Sequence, residues 1–233
     1  MSYSRDPTDE EVQAVALLAV RAFKSQGLST CLFGGAACRL YGNSRTPNDA
    51  DIVVLTSAYT TEDLKLFLTR VEPSTFYLVA SRQIGATYKV LWARLKGNLV
   101  HSRRSCKVDI LIPGVLNIPH IPTANIITIN ELPLMPLIPL LLLKLQGWSD
   151  HRESSRSDMQ AKQYVDVRDI TQLLRICVTR GARLEDVVGW LPREFVDAGR
   201  ERLARYLETL RPAQAHLWRD VGFEVTIPES NWM

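Results

Sequence analysis

A pair of glycines between an apolar strand and a short helix constrains the fold of this chain more than any other feature. Residues 29–33 are a short apolar run, Gly34 and Gly35 follow at once, and residues 36–42 have the pattern of a short helix. Glycines let backbone N–H groups approach an anion closely, and the N-terminus of a helix favours negative charge. The unit predicts a turn that holds an anion such as a triphosphate. The alternative is a tight strand-to-helix turn without a ligand.

Two aspartates stand at the start of the next apolar strand. Asp49 and Asp51 head the run 49–55, and side chains two residues apart project from the same face of a strand. Two adjacent carboxylates repel each other unless a cation neutralises them, and Mg²⁺ prefers such oxygen ligands. The pair predicts a metal site, although an Asp-x-Asp pair alone more often lies in a solvated turn or a helix cap.

A third aspartate lies within another apolar strand. Asp109 belongs to the run 107–112, where an unpaired carboxylate would be costly to bury. If this strand lies beside that of Asp49 and Asp51, three carboxylates converge and two metal ions can share them. Such sites activate an attacking oxygen and stabilise a leaving oxygen in phosphoryl or nucleotidyl transfer. We therefore expect Asp49, Asp51 and Asp109 to be both metal ligands and catalytic residues.

The first half of the chain alternates helices with strands and then gives strands in succession. Thr8 with Glu11 has the spacing of a capping box, and Thr60 with Asp63 caps a second amphipathic helix. Further strands are predicted over residues 76–80, 88–95 and 107–112. This order indicates a mixed sheet rather than a purely parallel one.

Helical periodicity replaces the strand pattern from about Glu131. Helices are predicted over residues 137–146, 159–179, 184–190 and 194–210, with a polar loop over residues 147–158. The fold class is therefore α/β (α+β), with a mixed β-sheet core flanked by helices and a helical C-terminal half. We predict a core domain of residues 1–130 and a helical domain of residues 131–233.

Composition and cysteine usage exclude several classes of protein. A chain with 46% hydrophobic and 23% charged residues is neither disordered nor collagen-like, and a net charge of +3 does not by itself indicate nucleic-acid binding. The four scattered cysteines argue against a zinc site or a disulfide framework and favour a cytoplasmic location. The leucine-rich segment Leu132–Leu145 contains three prolines and is too short to span a bilayer, so we expect no membrane partner.

The ordered set of glycines and aspartates resembles a known superfamily. Phe33-Gly34-Gly35, the strand that begins Asp49-Ala50-Asp51-Ile52 and the later strand of Asp109 are similar to the signature of DNA polymerase β-type nucleotidyltransferases. The resemblance implies a two-metal mechanism in which Asp49 and Asp51 bind both Mg²⁺ ions, with Mn²⁺ as the alternative metal. It implies that Asp109 completes one metal site and helps to activate the acceptor hydroxyl. It also implies that Gly34 and Gly35 hold the phosphates of a nucleoside triphosphate (NTP). Many relatives have serine at the second glycine, so one phosphate contact is missing here.

Further features resemble the small AbiEii-type (minimal, toxin-like) nucleotidyltransferases. They are Arg45-Thr46 before the aspartate pair and, on later helices, Lys144, Lys162, Asp166 and Asp169. We expect Lys144 to bind phosphate; the alternative is that its ammonium extends from an apolar helix to the surface. A basic cluster of His101, Arg103, Arg104 and Lys107 either guides an RNA acceptor or belongs to a solvated hairpin.

The sequence therefore predicts an Mg²⁺-dependent nucleotidyltransferase that transfers NMP from NTP to an acceptor hydroxyl and releases pyrophosphate. The acceptor partner would be RNA (including tRNA), a protein or a small molecule. One alternative is a catalytically inactive member of the same fold that binds nucleotide or acts as a scaffold. A weaker alternative is a metal-dependent nuclease, in which the glycine turn has no assigned role. The sequence leaves the oligomeric state open.

Overall fold

The computed structural model describes residues 6–82, 85–95, 104–209 and 214–225. Contacts between Cα atoms divide the chain into two compact units. The first comprises Met1–Leu40 and Ser44–Met135, and the second comprises Tyr41–Asn43 and Pro136–Met233. The first unit holds the sheet, and the second consists mainly of helices.

The strands of the described residues form one seven-stranded sheet in the first unit. In chain order they are β1 (Thr30–Leu32), β2 (Asp49–Val54), β3 (Phe76–Ala80), β4 (Lys89–Arg94), β5 (Ser105–Leu111), β6 (Ile127–Ile129) and β7 (Leu132–Leu134). Their spatial order is β3-β4-β5-β2-β1-β7-β6. β2 runs parallel to β5 and β1 runs parallel to β7, whereas the other neighbouring pairs are antiparallel. The predicted mixed sheet is confirmed.

The central strand β2 presents its two faces to different environments. Ala50 and Ile52 are fully buried, whereas Asp49 and Asp51, which alternate with them, are half-buried. The period-two alternation of a strand thus places the apolar side chains in the core and both carboxylates on the opposite face.

Three helices are interspersed with the first strands: α1 (Asp9–Lys24), α2 (Gly34–Tyr41) and α3 (Thr61–Val71). Both predicted caps are confirmed, because the side chains of Thr8 and Thr60 accept hydrogen bonds from the N–H groups three residues later, and the Glu11 and Asp63 carboxylates accept in return. α1 packs on β1, β2 and β5, and α3 packs on β3 and β5. α2 begins at Gly34 itself, two residues earlier than predicted.

β6 and β7 form a hairpin that the sequence pattern did not predict. Asn130 and Glu131, with φ of 50° and 64°, lie between the two strands. β7 then pairs in parallel with β1, where Leu134 lies opposite Leu32. The prediction that strands end by Glu131 is wrong because a three-residue strand containing Pro133 is too short to show a period of two.

The helices of the second unit pack mainly around its leucine-rich helix. They are α4 (Leu137–Glu153), α5 (Ser157–Gln160), α6 (Gln163–Thr179), α7 (Arg193–Thr209) and α8 (Ala215–Asp220). α4 packs against α6 and α7, and α6 packs against α8. No helix among the described residues combines the length and apolar character needed to cross a bilayer.

α4 continues through residues 147–153, where the sequence predicted a loop. The polar residues of this segment favour a loop, but Trp148 is 2% exposed and its ring meets that of Tyr206 edge-on at 4.9 Å. This buried aromatic contact keeps the last turns of α4 in the helical core. The helix predicted over residues 184–190 is also wrong, because only Leu184–Asp186 form a single 3₁₀ turn.

Candidate active site

The three predicted carboxylates converge on one face of the sheet. Asp51 on β2 lies directly opposite Asp109 on the parallel strand β5. One carboxylate oxygen each of Asp49, Asp51 and Asp109 lie within 4.8 Å of one another, and all three residues are half-buried. The conditional expectation that the two strands are neighbours is thus met. We refer to these residues as the Asp triad.

A lysine completes the charged face. Lys107 lies opposite Asp49 in the strand register, and its Nζ is 2.5 Å from Oδ2 of Asp109. Burial lowers the pKa of this ammonium, but attraction to Asp109 and, more weakly, to Asp49 and Asp51 outweighs burial and leaves the pKa raised. The sequence placed Lys107 in a basic cluster; the period of two along β5 could have shown that it shares a face with Asp109.

The glycine turn contacts the Asp triad directly. The backbone N–H of Gly35 donates a hydrogen bond of 3.2 Å to Oδ2 of Asp51. Gly34 has a φ of 60°, and a Cβ added there would lie 1.9 Å from the same oxygen. Only glycine therefore combines this backbone conformation with this approach to the carboxylate.

An arginine from the loop before β2 lies beside the second glycine. A Cβ added at Gly35 would lie 2.9 Å from Nη2 of Arg45 and 3.4 Å from the Cβ of Pro47. Glycine at this position, where many members of the predicted superfamily have serine, thus leaves room for a guanidinium group. The sequence indicates Arg45 only through a resemblance, because no local pattern shows where the side chain of an arginine in a loop will lie.

Comparison with known proteins agrees with this geometry at the level of the fold. No model of a known protein family matches the chain, and no curated protein sequence matches it. An antigenic nucleotidyltransferase-like protein from Paracoccidioides brasiliensis has a TM-score of 0.65, with 17% identity over 93% of this chain and 95% of that chain. JHP933 from Helicobacter pylori has a TM-score of 0.53, with 14% identity over 91% of this chain and 78% of that chain. The fold is that of the DNA polymerase β-type nucleotidyltransferases.

This likeness confirms the predicted fold class and the nucleotidyltransferase-type fold that the resemblance implied. The narrower likeness to AbiEii-type proteins stays a prediction, as do the roles assigned to individual residues. At these levels of identity the likeness shows how the chain folds, and the chemistry has to be argued from the side chains themselves.

The candidate donor atoms of the Asp triad are oxygens. Cys106 lies on the same strand as Asp109, but burial, assisted by the charges of Asp49 and Asp51, raises the pKa of its thiol to about 12. The thiol is therefore protonated at neutral pH, whereas metals bind the thiolate. A cluster of half-buried carboxylates without thiolate fits a hard divalent cation such as Mg²⁺ or Mn²⁺.

The basic cluster is only partly within the described residues. His101 and Arg103 lie outside them. Arg104 binds Glu11 of α1 through two hydrogen bonds of 2.7 and 2.6 Å, and its Nη2 also donates to the carbonyl of Asp6. Arg104 thus ties the start of β5 to the N-terminal region of the first unit.

Lys144 has a buried partner within the second unit. Its Nζ lies 2.9 Å from Oδ2 of Asp169, and the two side chains are 11% and 1% exposed. The alternative that Lys144 extends to the surface is therefore wrong. Asn43 donates to the backbone carbonyl of Asp169 at 3.0 Å, which further fixes this part of α6. The expected contact of Lys144 with phosphate stays a prediction.

Proposed function

We propose that this chain is a divalent-metal-dependent nucleotidyltransferase that transfers NMP from NTP to an acceptor hydroxyl. The observation that carries the proposal is the convergence of Asp49, Asp51 and Asp109 within 4.8 Å, with Asp51 bonded to the glycine turn. A nuclease would use the same carboxylates but would not need the turn to bind a triphosphate. The nucleotidyltransferase fold supports the same reaction class.

The Asp triad would hold Mg²⁺ or Mn²⁺. When bound, the metal would stabilise negative charge on the reacting phosphate and favour deprotonation of the acceptor hydroxyl. Asp109 would accept the proton of that hydroxyl. The acceptor oxygen then bonds to the α-phosphorus, and the bond to the bridging oxygen breaks so that pyrophosphate leaves with the electron pair.

The glycine turn and Arg45 would bind the triphosphate. The N–H of Gly35 already donates to Asp51, so the turn would act through the N-terminal end of α2, where the helix dipole favours an anion. The Arg45 guanidinium lies beside Gly35 and can donate two parallel hydrogen bonds to phosphate oxygens. Arg45 would thereby replace the contact that a serine at position 35 supplies in many relatives.

A labelled-nucleotide screen tests the proposal. The purified full chain is incubated with Mg²⁺ and each of the four α-³²P-labelled NTPs, in turn with total RNA, a protein extract and a mixture of small hydroxyl compounds. We expect one acceptor class to become labelled. Asp49→Asn and Asp51→Asn should each lower transfer at least about 10²-fold, because each removes a negative charge that would hold the divalent cation at the reacting phosphate.

Glu10→Gln serves as the matched control, since it neutralises an exposed carboxylate of the same unit. Transfer by this variant should equal that of the wild-type chain. Transfer that survives both aspartate substitutions would contradict the proposal.

One observation favours a second candidate, a nucleotide-binding protein without turnover. Two of the three carboxylates already have partners in the chain, since Asp51 accepts from Gly35 and Asp109 pairs with Lys107. Calorimetric titration with a non-hydrolysable NTP separates the candidates. Binding that is equally tight with and without Mg²⁺, together with no labelled acceptor, would favour the binding protein.

A further inference from the structure

On the charged face of β2 and β5, four side chains lie in two facing pairs, and they comprise three carboxylates and one ammonium group. Asp49 faces Lys107 and Asp51 faces Asp109 across the parallel pair. Three carboxylates and one ammonium give a formal charge of −3 + 1 = −2 for the four groups. One divalent cation neutralises this charge, whereas two would leave an excess of +2.

The ammonium of Lys107 is close enough to Asp109 to repel any cation that this carboxylate binds. Its Nζ is 2.5 Å from Oδ2 of Asp109, which is hydrogen-bonding distance. A divalent cation that takes the same carboxylate would face the ammonium across a few ångströms, where like charges repel strongly even in a partly solvated site. Binding of metal to Asp109 is thus coupled to the position of Lys107.

We propose that Lys107 is a resident cation that competes with divalent metal for the Asp109 carboxylate, so that the chain without nucleotide binds a single divalent ion. A second ion binds only when the ammonium leaves Asp109. This inference rests on the proposed function, because it concerns the same Asp triad. It also accounts for how three converging carboxylates are tolerated without metal, since the lysine offsets part of their repulsion.

An ordinary surface ion pair gives a different expectation. Both side chains are partly solvated, and many such pairs contribute little to stability. If Lys107 and Asp109 were only such a pair, removal of the lysine would leave the affinity of the Asp triad for metal unchanged.

Titration with Mn²⁺ in the absence of nucleotide tests the proposal, with free Mn²⁺ measured by electron paramagnetic resonance. We expect one Mn²⁺ per wild-type chain. Lys107→Met should lower the Kd for Mn²⁺ at least about tenfold or add a second bound ion, because the competing charge is removed. Lys107→Arg keeps the charge and should behave as wild type, and Lys107→Gln gives an independent neutral variant if the methionine variant folds poorly.

Lys89→Met is the matched control for net charge, since Lys89 is an exposed lysine of the neighbouring strand β4. Its Mn²⁺ affinity should equal that of the wild type. Equal affinities for the wild type, Lys107→Met and Lys107→Gln would overturn the proposal, as would weaker binding by the neutral variants.

The same titrations separate failure of this inference from failure of the proposed function. If the wild type binds Mn²⁺ and Asp49→Asn abolishes binding while Lys107→Met has no effect, only the role of Lys107 is wrong. If the wild type binds no Mn²⁺ with or without a non-hydrolysable NTP, the metal site itself, and with it the proposed function, is wrong.

Discussion

A side chain at position 34 would overlap with the carboxylate of Asp51, which is a candidate metal ligand. Gly34 combines a φ of 60° with a virtual Cβ 1.9 Å from Oδ2 of Asp51, and the next N–H holds the same oxygen. The glycine therefore fixes the carboxylate in place as well as allowing the chain to turn. The two parts of the sequence signature, the glycine pair and the aspartate strand, thus meet at Oδ2 of Asp51.

Gly34→Ala should weaken metal binding because the new methyl group displaces the Asp51 carboxylate. We expect the Kd for Mn²⁺ to rise at least about tenfold, with a loss of about 1–3 kcal/mol in the free energy of unfolding from the left-handed backbone. Gly27→Ala is the matched control, since Gly27 has a φ of 72° and no atom within 4 Å of its virtual Cβ. Equal Mn²⁺ affinities for the two variants would show that the contact with Asp51 is unimportant.

Sequence patterns predict residues on strands better than residues in loops. The period of two gave the shared face of Asp49 and Asp51, and applied to β5 it also gives that of Lys107 and Asp109. The reach of Arg45 toward Gly35 depends instead on the path of the loop before β2. No local spacing rule determines such a path.

At the scale of elements, α4 and α6 are joined by an ion pair that lies almost wholly inside the second unit. Lys144 comes from α4 and Asp169 from α6, and the carboxylate is 1% exposed. Removal of the lysine would take the opposite charge away from a buried carboxylate. Lys144 therefore stabilises the packing of the two helices, whether or not it also binds phosphate.

Lys144→Met should lower the free energy of unfolding by roughly 3–5 kcal/mol in urea titrations. The double variant Lys144→Met/Asp169→Leu should recover most of this loss, because the buried carboxylate is removed together with the lysine. Arg200→Met, which breaks an exposed pair with Asp197, should cost only about 0–1 kcal/mol.

A double variant that regains stability but binds NTP more weakly would support the predicted phosphate contact of Lys144. Stability of the single variant within 1 kcal/mol of wild type would show that the ion pair matters little to the helical unit.

Elements with local signals were predictable, and those that depend on distant partners were not. The capping boxes at Thr8 and Thr60 follow from side-chain chemistry within one turn, and both are present. The last turns of α4 carry a polar sequence and are helical because Trp148 is buried against Tyr206. β7 exists because β1 is available to pair with it.

At the scale of the whole molecule, the position of the site follows from strand order. β3 pairs antiparallel with β4, and β4 pairs antiparallel with β5. β5 therefore runs in the same direction as β3, and it lies parallel to its other neighbour β2. The sequence predicted each of these strands. It left open whether β2 and β5 are neighbours, because strand pairing depends on which long-range arrangement buries the most apolar surface. The three aspartates meet only in this order.

The net charge of +3 conceals local charges of both signs. The Asp triad with Lys107 has a formal charge of −2, whereas Arg45 adds positive charge beside the glycine turn. The negative charge of the Asp triad matches a metal ion, and the positive charge of Arg45 matches an anionic triphosphate. The overall balance of charge therefore says little about which acceptor the chain uses.

The reaction itself is tested most directly by comparing two labels on the same NTP. With the acceptor found in the screen, Mg²⁺ and the wild-type chain, α-³²P should become attached to the acceptor and γ-³²P should appear in pyrophosphate. Both signals should be lost together in Asp51→Asn. Attachment of the γ-label to the acceptor, or its release as inorganic phosphate without transfer of the α-label, would contradict nucleotidyl transfer by this chain.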